Sequence, residues 1–245
     1  MSWLFHTVFY DPIYNALVAL VSFVPGSDVG IAVILITIII NLILLPFALS
    51  AARTQRAMKE IEPKLKEVKE KYKDDKEGKG AIATLALYRE AKINPFASIL
   101  MVIVQIPVLL ALAWVFFKEP FPEISSHLLY SFTPVPETIS LYFLGLIPVM
   151  GKSLILSALA AAAQYLQARL ALAGTMQPTK ASGFQGDFQR IMSLQLKYVF
   201  PILIAVISYT TSSAIALYFI TTSLVGALRE LHVRRALAKD TVISS

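Results

Sequence analysis

The stretch "ITIIINLILLPFALSAARTQR", Ile36–Arg56, decides the fold. A run of isoleucine and leucine gives way to Pro46 and then, from Arg53, to a dense series of arginines and lysines. The surrounding block 29–52 contains no Asp, Glu, Lys or Arg. A bilayer core of about 30 Å takes about 20 apolar residues of helix, so this block is long enough to cross one. Spanning a membrane requires neither Thr37 nor Asn41, the two polar residues inside it.

The same pattern recurs outward along the chain. Residues 93–117, 153–168 and 198–228 are also free of charge, and only 16% of the whole chain is charged, against about 25% in soluble domains. The last block is 31 residues long and carries "SYTTSS", Ser208–Ser213, in its middle. It reads as two helices joined by a turn. The expected fold is therefore an all-α polytopic membrane protein with five transmembrane helices. The expected segments are an N-terminal interfacial helix in 1–27, spans at 28–50, 96–117, 153–172, 193–210 and 212–229, a helical hairpin at 51–95, loops at 118–152 and 173–192, and a short basic tail at 230–245. Pro25-Gly26 marks the end of the first helix, read over residues 3–23.

Basic residues orient this arrangement. Twelve lie in 53–92, four in 169–197 and four in 229–239, leaving only Lys118 and Lys152 elsewhere. With five spans the three rich segments share one side, which the positive-inside rule makes cytoplasmic. The N-terminus is then outside and the C-terminus inside. The net charge of +6 follows from this topology and the anionic inner leaflet, not from DNA. The N-terminus lacks the basic start of a signal peptide.

Composition excludes several chemistries. The absence of cysteine removes disulfides and thiolate sites, and the scattered His6, His127 and His232 have no metal-ligand spacing. No cofactor, metal or catalytic residue is expected. "GLIPVMGKS", Gly145–Ser153, has five residues between its glycines where a phosphate loop needs four, and no strand is expected before it. The alanine run 160–163 reads as a close-packing helix face.

Residues 51–95 differ in kind. Met58, Ile61, Leu65, Val68 and Tyr72 repeat at alternating intervals of three and four, a heptad seam on a charged helix. Pro63 should kink that helix. "DDKEGKG", Asp74–Gly80, breaks it, and a second helix carries Ile82, Leu85 and Tyr88 on one face. Glu60 with Lys64, and Glu62 with Lys66, are i,i+4 pairs. The segment reads as a helical hairpin, either a solvated linker or, as the seam favours, one that docks or binds a partner.

The spans also carry polar groups. Thr37 and Asn41 share a helix face, and Gln105, Gln164, Gln167 and Tyr218 lie in other spans. Interhelical hydrogen bonding and a shared wet cavity both account for them.

At "ALYREAKINPFASILMVIVQIPVLLALAWVFF", Ala86–Phe117, the chain resembles the YidC-type membrane protein insertases, whose signature runs "LYK.EKVNP" and then "Q.P...ALY". "IEPKLKEVKEKY" is similar to the family's first hairpin helix, and "SSAIALYFITTS", Ser212–Ser223, to its last-span pattern "PAGL.LYW..SN". Phe200-Pro201 resembles the fourth-span "MP". The large outer domain of many relatives has no counterpart here. This resemblance implies an insertase and chaperone, not an enzyme, in which five helices enclose a hydrophilic groove. The polar tail of a nascent membrane protein enters the groove while its apolar segment slides into lipid. It implies that Thr37 and Tyr218 are functionally important and that Gln105 and Gln164 face the groove. Phe219 stands where many relatives have tryptophan. Asn41 stands where most bacterial members carry the groove arginine, five residues before the proline. The implied partners are nascent membrane proteins, with the ribosome and Sec translocon as candidates, and the implied working form is a monomer. Anionic lipids follow from the basic segments. The competing reading is a small transporter or channel. A transporter usually shows internal repeats, and none is found. A scaffold would explain the hairpin but not the polar spans.

Overall fold

The computed structural model describes the chain except residues 1–2, 74, 76–77, 92, 94–95, 120, 176–190, 192 and 244–245. Most of the expected 173–192 loop, and Asn94-Pro95 of the family motif, lie outside the described residues. The rest is predominantly helical.

Helix α1, Trp3–Phe23, includes a π-helical turn at His6–Tyr10 and stops where Val24 turns extended ahead of Pro25. Gly26 has φ 72°, a conformation that glycine enters freely. Helix α2, Val29–Ile43, is followed by α3, Leu45–Glu60. The break at Leu44 has a local cause: Pro46 lacks an N–H and its ring crowds the preceding turn. Charge does not interrupt the backbone, because α3 runs unbroken past Arg53. Next come α4, Glu62–Lys71, α5, Lys79–Glu90, and α6, Phe96–Lys118. A two-stranded antiparallel hairpin follows, β1 Tyr142–Phe143 with β2 Ile147–Pro148, so a short strand does precede most of the Gly145–Ser153 stretch. Helix α7 is Leu154–Thr175, α8 is Phe200–Thr210 after a π-helical turn at Gln195–Val199, and α9 is Ser213–Ile243. Among the described residues three helices, Trp3–Phe23, Leu154–Leu172 and Ser213–His232, are long and apolar enough to cross a membrane, and the pair Val29–Ile43 with Leu45–Thr54 makes a fourth if taken as one broken span. The chain is thus an all-α membrane protein in architecture.

Two compact units form, Met1–Ile43 with Gln105–Ser245, and Leu44–Val104. In the first, α9 packs against both α7 and α2, α8 against α7 and α9, and α1 against α2. Small residues allow the α7–α9 approach. Ala160 and Ala163 are buried, and a Cβ on Gly226 would lie 2.2 Å from Gln167 Nε2. Such residues let helix backbones close on each other in lipid, where no hydrophobic drive acts between helices. Helix α1, the end of α6 and the first turns of α2 and α9 share one apolar core, built on Tyr14, Leu17, Val33, Leu112, Val115 and Leu217.

The segment 119–153 caps this core. Asn15, 4% exposed, donates from Nδ2 to the Asp11 and Leu128 carbonyls, both at 2.8 Å, and its Oδ1 accepts from Tyr130 N–H and Thr133 Oγ1, both at 2.7 Å. One amide thus uses both its donors and both its lone pairs. Tyr14 Oη accepts from Ser125 N–H at 2.8 Å, and Ser22 Oγ donates to the Pro134 carbonyl at 3.0 Å. Asp28 is buried; its Oδ1 accepts from Gly30 and Ile31 N–H at 2.7 and 3.1 Å, and its Oδ2 from Leu144 N–H at 2.7 Å. That is an N-cap of α2 which also holds the β-hairpin. At the start of α9, Ser213 N–H donates to the Gly151 carbonyl at 2.7 Å and Ala214 N–H to Val149 at 3.0 Å. These are amides that a helix start leaves without internal partners.

Gly30 lies flat against Phe143; a Cβ there would come 2.7 Å from Phe143 Cδ2 and 2.8 Å from its Cβ. Because the β-carbon cannot swing aside, Gly30→Ala is expected to destabilise the protein by about 1–3 kcal/mol through overpacking. Thermal unfolding in detergent measures this, and an unchanged midpoint would contradict it.

In the second unit, Pro63 splits the expected single helix: α3 ends at Glu60 and α4 starts at Glu62, with Pro63 in its first turn. The backbone stays nearly continuous, Leu65 N–H reaching the Ile61 carbonyl at 2.9 Å. Ile61 is buried while Met58, Leu65, Val68 and Tyr72 are half-buried. Lys66 pairs with Glu62 at 3.0 Å. Helix α4 packs on α5, and Asp75 Oδ2 accepts from Gly80 N–H at 2.7 Å to shape the turn. Ile82 and Leu85 are exposed.

Candidate functional site

Helix α2 carries Thr37 and Asn41 one turn apart. Both are buried, at 1% and 7% exposure. Thr37 Oγ1 donates to the Val33 carbonyl at 2.6 Å, and Asn41 Nδ2 donates to the Thr37 carbonyl at 2.8 Å. Each polar group therefore spends a donor on its own helix, the usual refuge of hydroxyl and amide side chains where water is scarce.

Gln105 and Tyr218 behave differently. Gln105 Nε2, on α6, donates to Tyr218 Oη on α9 in a close contact. The two residues are 113 positions apart in sequence. Tyr218 is buried in the same apolar cluster as Ile36 of α2, and Phe219, partly buried, packs on that cluster. The two rings meet edge to face with centroids 5.4 Å apart.

Gln164 has another neighbour. Ser223 Oγ donates to Gln164 Oε1 at 2.9 Å, and Gln167 sits against Gly226 one turn on. Five residues separate Tyr218 from Ser223, or about 140° around an α-helix of 3.6 residues per turn. The two contacts thus leave α9 on different sides. One side joins α9 to α7 through Gln164, and the other meets α6 and faces the cluster that contains α2. Thr221 Oγ1 bonds the Leu217 carbonyl at 2.8 Å. Among the described residues Ser208 Oγ and Ser212 Oγ are buried without a hydrogen-bond partner, while Thr222 lies in hydrogen-bonding contact with Tyr218. Buried hydroxyls without a partner are unusual in a packed interior, and each of these two has room in its bonding for a polar guest or a water.

The seam residues Met58, Ile61, Leu65, Val68 and Tyr72 all belong to the second unit. Sequence reading missed Asn15 and Asp28. Asp28 had a signal, since an Asp just before an apolar run marks a helix start. Asn15 had none: apart from the Asp11 carbonyl, its partners lie 113 to 118 residues away. Among the described residues no group of His, Asp and Glu could hold a metal ion.

Residues 20–240 match the family model described as 60Kd inner membrane protein. Similarity extends to the membrane protein insertase YidC of Fusobacterium nucleatum, 31% identical over 229 residues, covering 91% of this chain and 97% of that protein. It extends also to the membrane protein insertase YidC of Oceanobacillus iheyensis, 28% identical over 235 residues, covering 95% and 84% of the two chains. A third relative, the membrane protein insertase YidC of Clostridium tetani, is 28% identical over 201 residues, or 82% and 79%. With the match running through nearly the whole length, from the end of α1 to the end of α9, this chain belongs to the YidC-type membrane protein insertase family.

Proposed function

We propose that the protein is a membrane protein insertase of the cell membrane that works through a polar groove between α2, α6 and α9. Thr37, Asn41, Gln105, Tyr218 and Phe219 line it; Gln164, also expected there, meets another side of α9 through Ser223. The observation that carries this reading is how the buried polar groups are bonded. Side chains that glue helices together bond across helices. Thr37 and Asn41 instead bond their own backbone, so their burial is not repaid by helix association. They present polarity to a guest. A polar tail crossing there meets hydrogen-bonding groups rather than hydrocarbon, which lowers its desolvation cost. No bond is broken and no nucleotide is needed. By the same criterion Gln164, bonded to Ser223, serves as glue, and Gln105 and Tyr218, bonded to each other across α6 and α9, join helices as well as facing the groove.

Five spans, N-terminus outside and C-terminus inside, complete the proposal, with α1 at the outer interface rather than across the bilayer. Length alone would let α1 cross. Its flank argues for the interface: irregular backbone at Ser125, Leu128, Tyr130 and Pro134 runs along it, bonded to Tyr14, Asn15 and Ser22. Irregular backbone facing lipid is not tolerated in the hydrocarbon layer. The helical hairpin and basic tail then stand in the cytoplasm, where the exposed Ile82 and Leu85 suit a nascent chain, ribosome or Sec partner and the lysines suit anionic lipid. A monomer suffices, since all the groove residues lie in one unit.

Reconstitution tests the reading. The purified protein in liposomes, beside translation of a short single-span substrate, is expected to protect the translocated tail from protease above protein-free liposomes. Flux of small solutes without insertion would favour a channel instead. Asn41 adds a specific expectation. It offers hydrogen bonds without charge, so neutral and acidic tails should insert comparably, whereas Asn41→Arg should favour acidic tails. A strong acidic preference in the unmodified protein would overturn this.

A further inference from the structure

We infer that the β1–β2 hairpin is a membrane anchor whose tip, Leu144 and Leu146, sits in the lipid leaflet at which α2 and α9 begin. This goes beyond the insertase reading and does not depend on it. The depth of the hairpin is set by hydrogen bonds to the starts of both helices: Leu144 N–H to Asp28 Oδ2 at 2.7 Å, and the Val149 and Gly151 carbonyls to Ala214 and Ser213 N–H at 3.0 and 2.7 Å. Where those two helices enter the membrane, the hairpin is at the surface.

Its tip is built to face something apolar. Phe143 and Ile147 pair across the strands and pack inward on the core. Leu144 and Leu146 turn outward, 63% and 80% exposed. Leu144 holds φ 52°, a left-handed conformation that costs a leucine energy and that glycine or asparagine would take more cheaply. Residues 138–151 carry no charge at all. In water such a tip would be a liability. Lipid is the occupant favoured here because the chain runs from the hairpin, past the exposed Lys152, straight into a helix long and apolar enough to cross a membrane: α7 opens three residues after Gly151 with Leu154 and Ile155, 72% and 68% exposed. Two leucines at the interface would hold the cap, and through Asp28 the start of α2, against the bilayer.

The chain has no cysteine, so single labels are clean. Leu144→Cys and Leu146→Cys, each carrying an environment-sensitive fluorophore, are reconstituted in phosphatidylcholine–phosphatidylglycerol liposomes. Glu137→Cys, exposed in the same segment, is the reference. Expected are blue-shifted emission at 144 and 146, loss of emission to lipids bearing a shallow nitroxide, and little loss to aqueous iodide, with the reverse at 137. Water-like, iodide-quenched emission at both tip positions would overturn the inference. So would blue-shifted emission that lipid nitroxides leave untouched, since a protein surface or a second copy would then cover the tip. Two independent positions guard against a single label disturbing the turn.

Discussion

Changing Thr37 and Tyr218 together to alanine is expected to lower insertion of a single-span substrate to the level of protein-free liposomes. Both side chains are buried, at 1% and 2% exposure, and both belong to the lining of the proposed groove. Tyr218→Ala removes the ring, empties its volume and strips Gln105 Nε2 of its partner. An aromatic truncated in a packed core costs about 3–5 kcal/mol, so the alanine pair also loosens the fold. The discriminating variant is therefore Thr37→Val with Tyr218→Phe, which keeps both shapes and deletes both hydroxyls. Thr37 Oγ1 bonds only its own helix among the described residues, so valine leaves no neighbouring donor unpaired. Phenylalanine leaves one half-buried amide short of an acceptor, worth about 1–3 kcal/mol. The shape-preserving pair is expected to unfold closer to the parent than the alanine pair does, and still to lose most insertion. Insertion at the parent rate by that pair would show that the hydroxyls play no part, and the helix-packing account of these residues would then stand.

The second large effect is on the cap. Asp28→Ala removes a buried carboxylate that holds three backbone amides, two at the start of α2 and one at the hairpin turn. Losing an N-cap costs about 1 kcal/mol, and each hydrogen bond to a charged group is worth about 1.5–3 kcal/mol. These terms overlap, and a net loss of about 3 kcal/mol is expected, a fall of roughly 10 °C in the unfolding midpoint for a chain of this size. Asp28→Asn should fall between. Its amide oxygen can still cap α2, but its NH2 would face the Leu144 N–H, donor against donor. Calorimetry in detergent gives the midpoint. Faster proteolysis within 119–152 should accompany the loss, because the hairpin loses its tie to α2. An unchanged midpoint in Asp28→Ala would mean that the Val149 and Gly151 contacts to α9 hold the cap alone.

What the sequence by itself determined is local or compositional. Charge-free blocks place the apolar helices, because a bilayer admits little else. Thr37 and Asn41 share a face because four residues make about one turn. Pro46 and Pro63 both mark helix breaks, through the same missing N–H. The ordered motifs from Ile61 to Ser223 carried the family. Only the tertiary structure decided how the polar residues are paired. Nothing in the sequence says that Gln105 meets Tyr218 while Gln164 meets Ser223, nor that Asn15 and Asp28 organise a cap from partners more than 110 residues away. The physical reason is common to all of these. A buried polar group must find a partner, but which partner depends on which helices close together, and that is set by small side chains such as Gly226 and Ala160 rather than by the polar residues themselves.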